Sequence, residues 1–209
     1  ELVWSATPNK TVEELVSRLP AGRALDLGCG EGRNSIWLAR QGWQVDALDF
    51  SSVGLDKARQ IAAGQGVTVN WQHADVSGLV PELKYELVIA VFLHTSPEER
   101  HAWLRAALQS VDEAGHFLYV GHDPRNIKEG TGGPQDPAVL PDLEELQSYL
   151  AGFEVLQAEV FERQVAGDPG HGDTVLDEEK RALDTLLFAR KGRKDRKSTR
   201  LNSSHQIIS

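Results

Sequence analysis

Residues 24–39, ALDLGCGEGRNSIWLA, join an apolar run to three alternate glycines and then to a segment with helical spacing. The run up to Leu27 is typical of a buried strand, and Ile36, Leu38 and Ala39 lie on one face of a helix. The glycines between them let the backbone approach a ligand closely, because no side chain intervenes. The stretch therefore predicts a strand, a ligand-binding turn and a helix, which is the repeating unit of α/β proteins.

The rest of the chain repeats this alternation. The predicted strands cover residues 23–27, 43–49, 67–72, 85–94, 116–122, 153–162 and 182–190, and the predicted helices cover residues 11–19, 32–41, 52–64, 96–108 and 142–150. This order predicts an α/β fold with a doubly wound, Rossmann-like sheet of seven mostly parallel strands and helices on both faces. No helix joins the last two strands, so we expect the last strand to be antiparallel.

Two helix starts carry capping signals. Thr11 and Glu14 have the spacing of a capping box at the first helix. Ser96, Pro97 and Glu99 combine a cap, a first-turn proline and a capping-box acid. The sequence therefore predicts that the first helix begins near residue 11 and the fourth at Pro97.

Acidic residues close the first two predicted strands and follow the third, at Asp26, Asp49 and Asp75. In a doubly wound sheet the carboxyl ends of the strands form the ligand-binding edge. A dinucleotide fingerprint requires glycine where Arg33 stands, and carboxylates at Asp26 and Glu31 would repel a pyrophosphate. These residues favour a ligand with cationic groups. Each acid alone is also compatible with the cap of a local turn.

The segment LDLGCGEG, residues 25–32, resembles the first motif of class I S-adenosylmethionine-dependent methyltransferases. The resemblance implies that Asp26 and the glycines line the methionine end of the cofactor, Asp49 holds the ribose, and Asp75 meets the adenine. It also implies that residues 92–94 form the cofactor floor and face the acceptor. The implied cofactor-binding set is Trp4, Asp26, Leu27, Gly28, Cys29, Gly30, Arg33, Asn34, Asp49, Phe50, Ser51, Ala74, Asp75, Val76, Phe92 and His94.

The segments VWSATPN and GHDPRN are similar to a small-molecule branch of this family, which includes tellurite-resistance and thiopurine-type methyltransferases. In that branch Trp4 would close over the cofactor, where an aromatic face suits a cationic sulfonium. A hydrophobic staple that packs Trp4 on Val12 or Leu15 is the alternative. Two departures from the family pattern are Glu86, where Asp is frequent, and residues 114–116, where Pro-Gly-Gly is frequent.

Three residues are candidates for a general base. A soft acceptor such as a thiolate or a chalcogen oxyanion needs only alignment with the methyl group. An oxygen or nitrogen acceptor would need a base, and His94, His122 and Asp123 follow strand ends where one would act. The structural alternatives are that His94 caps its strand and that His122 and Asp123 anchor the next loop with Arg125.

The remaining motifs carry weaker signals. The loop at residues 123–141 is long enough to be a candidate lid, and with residues 163–174 it should carry acceptor specificity. His171 and Asp173 do not make a metal site, and no metal is predicted. Cys29 lies in the glycine turn, where a small side chain is needed, so a nucleophilic role is not expected.

Composition restricts the partners. The formal net charge of −9 makes nucleic acid an improbable partner. No apolar run has membrane-spanning length, and a single cysteine predicts a cytoplasmic protein without internal disulfides. We therefore expect a methyltransferase acting on a small molecule, in an oligomeric state that the sequence does not indicate. The alternatives are a nicotinamide-dependent oxidoreductase and a non-catalytic cofactor-binding sensor.

The chain contains no Met and opens at Glu1, which predicts an N-terminally truncated domain at residues 1–192. Residues 193–209 are expected to form a disordered tail. Its stretch DRKSTRLNSSHQIIS resembles the translation of a sequencing adapter and has no apolar periodicity.

Deletion of residues 195–209 is therefore expected to leave the melting temperature and the methyl-transfer rate unchanged. Thermal unfolding and turnover of the full and shortened chains measure this directly. A marked loss in either would show that the tail belongs to the folded domain.

Overall fold

The computed structural model describes residues 7–165 and 180–193. Its strands are β1 (Arg23–Leu27), β2 (Gln44–Asp49), β3 (Asn70–His73), β4 (Tyr85–Val91), β5 (Val111–His122), β6 (Phe153–Gln164) and β7 (Arg181–Lys191). Its α-helices are α1 (Lys10–Val16), α2 (Arg33–Arg40), α3 (Ser52–Gly64), α4 (Pro97–Ser110), α5 (Asn126–Glu129) and α6 (Leu143–Ser148). Short 3₁₀ turns occur at Val76–Gly78 and Pro137–Val139.

The seven strands form one sheet in the order β3-β2-β1-β4-β5-β7-β6. Strands β1 to β5 pair in parallel, whereas β7 is antiparallel to both β5 and β6. The predicted doubly wound sheet with an antiparallel last strand is thus confirmed. The strand order reverses between β1 and β4, so their carboxyl ends form the crevice in which such folds bind ligands.

Strand β4 shows why the sheet is buried on both faces. Val88 and Ala90 join an apolar cluster with Trp103 of α4, whereas Leu87 and Ile89 face a second cluster on the opposite side. Alternate side chains of a strand point to opposite faces, so a nearly continuous apolar strand supplies both cores at once. These two cores fix the register of the central strands and hence the positions of their ends.

The predicted cap of α4 is confirmed, whereas the predicted cap of α1 is wrong. The hydroxyl of Ser96 accepts the N–H of Glu99, whose carboxylate accepts the N–H of Ser96, so the capping box is complete. At α1 the side chain of Asn9 accepts the N–H groups of Thr11 and Val12. The helix therefore begins at Lys10, one residue before Thr11, and ends at Val16.

Three strands differ from their predictions by three residues or more, and one of them, β4, ends at Val91 instead of residue 94. Strand β3 begins at Asn70 instead of residue 67, and β5 begins at Val111 instead of residue 116. The extra part of β5 contains a shift in register against β4, and Ala114 there has a φ of 62°. This is the segment that departs from the Pro-Gly-Gly pattern, and a bulge takes the place of that turn.

Within the two described ranges, no helix is both long enough and apolar enough to span a membrane.

We expect Ser96→Ala to lower the free energy of unfolding by about 1 kcal/mol, because the N–H of Glu99 loses its partner at the start of α4. Urea denaturation measures the change. The matched control is Ser148→Ala, at the exposed end of α6, which should change stability by less than about 0.5 kcal/mol. Equal effects of the two substitutions would contradict a capping role for Ser96.

Candidate cofactor and acceptor site

The glycine turn between β1 and α2 adopts a conformation that other residues rarely adopt. Gly28, Gly30 and Gly32 have φ values of 69°, 55° and 80°. A Cβ atom at Gly28 would lie 2.8 Å from Leu93, and one at Gly32 would lie 2.5 Å from Trp71. Glycine is therefore required here for two independent reasons, the sign of φ and the space available.

This turn forms one wall of a cavity of about 680 Å³ at the carboxyl ends of β1, β2 and β4. The cavity brings together most of the residues that the sequence suggests for the cofactor. Those that line it are Gly28, Cys29, Gly30, Arg33, Asn34, Asp49, Phe50, Ser51, Asp75, Val76, Phe92 and His94. Its volume is in the range of small-molecule binding sites.

Asp49 lies at the centre of this arrangement. Its Oδ2 accepts the N–H of Gly30 at 2.7 Å, and its Oδ1 accepts the N–H of Ser51 at 2.8 Å. The hydroxyl of Ser51 in turn accepts the N–H of Gly54 and caps α3. One buried carboxylate thus joins the glycine turn, the end of β2 and the start of α3. Each oxygen of a carboxylate has a second acceptor position available for a ligand.

Asp75 has both a local role and a place in the cavity wall. Its Oδ1 accepts the N–H and the hydroxyl of Ser77, which caps the short turn after β3. These hydrogen bonds lower the pKa of Asp75, so it stays ionised at neutral pH. Phe50 and Val53, also in the wall, are 78% and 67% exposed and offer apolar surface beside these two carboxylates.

Asp26 lies below the turn and is not among the described residues that line the cavity, and the same is true of Leu27 and Ala74. Its side chain is fully buried and accepts the hydroxyl of Ser35 at 2.6 Å. Burial raises the pKa of Asp26 from 3.8 to about 6, although Ser35 and Arg33 oppose the shift. Asp26 therefore acts on the site from beneath the glycine turn.

Glu31 changes the expected electrostatics. Its carboxylate is nearly buried and forms a 2.7 Å ion pair with Lys57 of α3. The sequence predicts that the carboxylate of Glu31 repels a pyrophosphate, and the ion pair with Lys57 weakens that repulsion. Asp49 and Asp75 remain the wall carboxylates at the strand ends.

Arg33, Asn34 and Cys29 complete the wall near the start of α2. Asn34 is buried, and its Oδ1 accepts the N–H of Asn9, so it ties α1 to α2. Burial, together with Asp26 and Asp49, raises the pKa of the Cys29 thiol. A thiol that stays protonated is a poor nucleophile, which agrees with the expectation from sequence.

Phe92 and His94 follow β4 and form the opposite wall. Phe92 has a φ of 54°, which is unusual for an aromatic residue and is typical of a constrained functional position. Its ring lies 4.9 Å from that of His122, and His94 stacks on His122 at 5.7 Å. Burial, with the neighbouring His122, lowers the pKa of His94 from 6.5 to about 4. His94 is therefore neutral at physiological pH.

His122 has a partner that sequence analysis missed. Its Nδ1 lies 2.9 Å from Oδ1 of Asp184, a fully buried residue of β7, although the two are not aligned as a hydrogen bond. Oδ2 of Asp184 accepts Nε–H of Arg163 at 2.5 Å. The sequence does contain one indication of this partner, because Asp184 is an acidic residue within the otherwise apolar segment ALDTLLFAR. The pairing itself depends on β7 lying next to β5, which the sequence does not reveal.

Asp123 anchors the following loop. Its Oδ1 accepts two N–H groups of Arg125, and its Oδ2 accepts the hydroxyl of Thr185. The loop at residues 123–141 is also held on β7, because Asn126 accepts the N–H of Leu183. Asp123 is buried and is not among the described residues that line either cavity, which matches the structural alternative for this residue.

A second cavity of about 880 Å³ borders the first at Pro8, Arg33 and Phe92, which line both. Its other walls come from α1, from the end of β6 and from His122. Sequence analysis missed this cavity, because α1 and β6 meet there only through the sheet order.

Some predicted positions lie outside the described residues. These are Trp4, His171, Asp173 and the tail. In the described part of the chain, no group of three or more His, Cys, Asp or Glu side chains could hold a metal ion.

The buried carboxyl of Asp26 should make stability depend on pH. Because the folded state binds this proton more tightly than the unfolded state, the free energy of unfolding falls as pH rises from about 4 to about 6. Asp26→Asn removes this decline. The stability of the variant relative to the wild type should therefore rise by about 1 kcal/mol between pH 5 and pH 7.

Urea denaturation across this pH range tests the prediction. Ser35→Ala is the companion variant, since removal of a hydroxyl that lowers the pKa of Asp26 should move the decline to higher pH. Parallel pH curves for the wild type and Asp26→Asn would contradict a raised pKa.

The chain is similar to known methyltransferases. A family model described as a methyltransferase domain matches residues 24–115, from β1 to the bulge in β5. The 2-heptyl-1-hydroxyquinolin-4(1H)-one methyltransferase of Mycobacteroides abscessus is 26% identical over 131 residues, 61% of this chain and 57% of the relative. Thiocyanate methyltransferase 1 of Arabidopsis thaliana is 26% identical over 147 residues, 68% of this chain and 63% of the relative.

Among solved structures, TehB from Haemophilus influenzae has the same fold, with a TM-score of 0.72 and 17% sequence identity. The alignment covers 88% of this chain and 62% of that one. The chain thus spans less than two thirds of the length of each of these three proteins. Residues 24–115 thus match a methyltransferase domain, and the chain shares the fold of TehB.

Proposed function

We propose that this protein transfers a methyl group from S-adenosylmethionine to a small-molecule acceptor by in-line displacement. The observation that carries the proposal is the position of Asp49. Its buried carboxylate connects Gly30 of the glycine turn to Ser51 before α3, inside a cavity at the ligand-binding edge of the sheet. A carboxylate at the end of β2 suits the ribose hydroxyls of the cofactor, to which it can accept hydrogen bonds.

The other cavity residues fit the same cofactor. The glycine turn leaves backbone, without side chains, where the methionine end would lie. Phe50 and Val53 offer exposed apolar surface for the adenine ring, and Asp75 lies beside them. A nicotinamide dinucleotide fits less well, because its fingerprint needs glycine where this chain has Arg33.

Catalysis then depends mainly on alignment. When bound, S-adenosylmethionine supplies a methyl group on a positively charged sulfur, so the electrophile is already activated. The protein has to hold the acceptor in line and exclude water, and such positioning can contribute roughly 7–11 kcal/mol to lowering the barrier. Phe92 and Arg33 line both cavities and lie where an acceptor would approach.

The second cavity supports a small acceptor. It is enclosed by α1 and β6, and its wall mixes cations such as Arg18 and Arg163 with anions such as Glu14 and Glu159. This mixed charge and the net charge of −9 are unfavourable for a nucleic acid. Two of the relatives are named for a hydroxyquinolone and for thiocyanate, both small molecules. We also infer a cytoplasmic location from the single cysteine.

Cofactor binding is the first test. Calorimetry should detect binding of S-adenosylmethionine and of its demethylated product, and none of a nicotinamide dinucleotide. Asp49→Ala should weaken cofactor binding by about 1–3 kcal/mol, because Gly30 and Ser51 lose their acceptor and the ribose loses its partner.

Asp56→Ala is the matched control for Asp49→Ala. Asp56 lies on α3, its side chain is 68% exposed, and it is not among the described residues that line the cavity. Its substitution should leave cofactor affinity unchanged. Equal affinity of the wild type and Asp49→Ala would mean that the ribose lies elsewhere, and nicotinamide binding without S-adenosylmethionine binding would favour the oxidoreductase.

Turnover is the second test. Methyl transfer should be detected with at least one member of a panel of thiols, tellurite, thiocyanate and aromatic or N-linked hydroxyls. Cofactor binding without a methylated product from any member would favour the sensor instead of the enzyme.

A further inference from the structure

The pairing of His122 with Asp184 suggests a chemical role for both. The two residues are directly opposite each other in the antiparallel register of β5 and β7. Asp184 is fully buried, and a buried carboxylate is costly unless it is paired. Arg163 occupies its Oδ2, whereas Oδ1 lies 2.9 Å from Nδ1 of His122. The carboxylate is thus placed to hold the imidazole ring in position.

The other edge of the His122 ring borders the acceptor cavity. With Nδ1 facing Asp184, Nε2 lies on the far side of the imidazole, and His122 lines the second cavity with Phe92. A Cβ atom at Gly133 would lie 2.8 Å from Nε2 and 2.5 Å from Cδ2. Glycine at this position, with a φ of 77°, therefore keeps the Nε2 edge free of a covering side chain.

The neighbouring histidine is not equivalent. Nε2 of His94 is buried without a hydrogen-bond partner, and the low pKa of His94 makes it a weak base. The charged and titratable groups that face His122 are Asp184 from β7, Arg163 from β6 and His94 after β4, with Arg33 across the cavity. Of these two histidines, His122 is the one that combines a carboxylate partner with a place at the acceptor cavity.

We propose that His122, positioned by Asp184, accepts the proton of a hydroxyl-bearing acceptor, so that the protein methylates oxygen on a phenol or an N-hydroxy heteroaromatic compound. This inference rests on the proposed methyl transfer and names its acceptor class. His122 would be the catalytic residue, and Asp184 is a positioning residue.

The proposed step moves one proton and one methyl group. The hydroxyl proton moves to Nε2 of His122, and the acceptor oxygen forms a bond to the methyl carbon. The bond between that carbon and sulfur breaks, its electron pair stays on sulfur, and a neutral thioether leaves. The proton on His122 then passes to solvent, which restores the neutral imidazole. No oxidant or reductant is required.

A comparison of acceptors isolates this role. A thiol above its own pKa is already an anion and needs no base, whereas a phenol below its pKa does. His122→Asn should lower kcat for a phenol by about 100-fold or more, with kcat for the thiolate changed by less than about threefold. The matched control is His101→Asn, an exposed residue of α4 that contacts Tyr149 and should affect neither reaction.

Substitution of Asp184 tests its positioning role through kcat and KM. Asp184→Asn should lower kcat for the phenol with little change in KM. If Asp184 only supported the fold, kcat for both acceptors and the melting temperature would fall together. Should Asp184→Asn not fold, His122→Asn still decides the question.

Binding of 4-nitrophenol gives a readout without turnover. Its phenolate absorbs visible light, so the absorbance reports whether the bound phenol has lost its proton. The wild type should bind the phenolate at a pH at which the free compound is protonated. In His122→Asn, the bound and the free compound should ionise at the same pH.

The outcomes separate this inference from the proposed function. Absence of S-adenosylmethionine binding to the wild type would overturn the proposed function itself. Cofactor binding with methylation of thiols or anions and of no hydroxyl would overturn only the acceptor class. An unchanged phenol rate in His122→Asn, or a bound 4-nitrophenol that ionises as it does in solution, would overturn the role of His122.

Discussion

The hydrogen bond from the N–H of Gly30 to Asp49 is the contact on which the site depends. At 2.7 Å it fixes the middle of the glycine turn to the end of β2, while the N–H groups of Gly28 and Cys29 bond to the carbonyl of Leu48. Both interactions require that β1 and β2 lie side by side in parallel. The two apolar cores that bury the sheet therefore determine the shape of the turn, and the turn determines the cavity.

The electrostatics of this edge are more selective than a row of negative charges. Asp26 is buried and titrates near pH 6, and Glu31 is neutralised by Lys57. The wall thus presents carboxylates at Asp49, Asp75 and Glu99, together with cations that include Arg33. Such a distribution suits a ligand that carries several polar groups of different charge, because different residues of the wall can contact different groups of the ligand. Discrimination against phosphate consequently depends on position more than on total charge.

Sequence patterns predicted the local features well. The seven strands, the complete capping box at Ser96 and the three glycines follow from residues close together in the chain, so their signals are contained in short windows. The predicted cap of α1 failed because Asn9 accepts the N–H groups of Thr11 and Val12, so the helix begins before Thr11. Strand ends shifted where the chain bulges at Ala114, which no pattern of apolar residues encodes.

Long-range pairing accounts for what the sequence could not reveal. Lys57 reaches Glu31 from another helix, and Asp184 meets His122 because β7 inserts between β5 and β6. The same insertion places the end of β6 opposite α1 and creates the second cavity. Asp123, a candidate base in the sequence, instead contacts Arg125 and Thr185. His122 and Asp184 lie far apart in the chain, so only the sheet order brings that pair together.

A crystal structure of the protein with S-adenosylhomocysteine bound tests the central claim most directly. We predict that the ribose hydroxyls contact the carboxylate of Asp49 and that the sulfur lies on the side of Phe92, next to the second cavity. A ribose bound away from Asp49, or a ligand outside the cavity beside the glycine turn, would contradict the account.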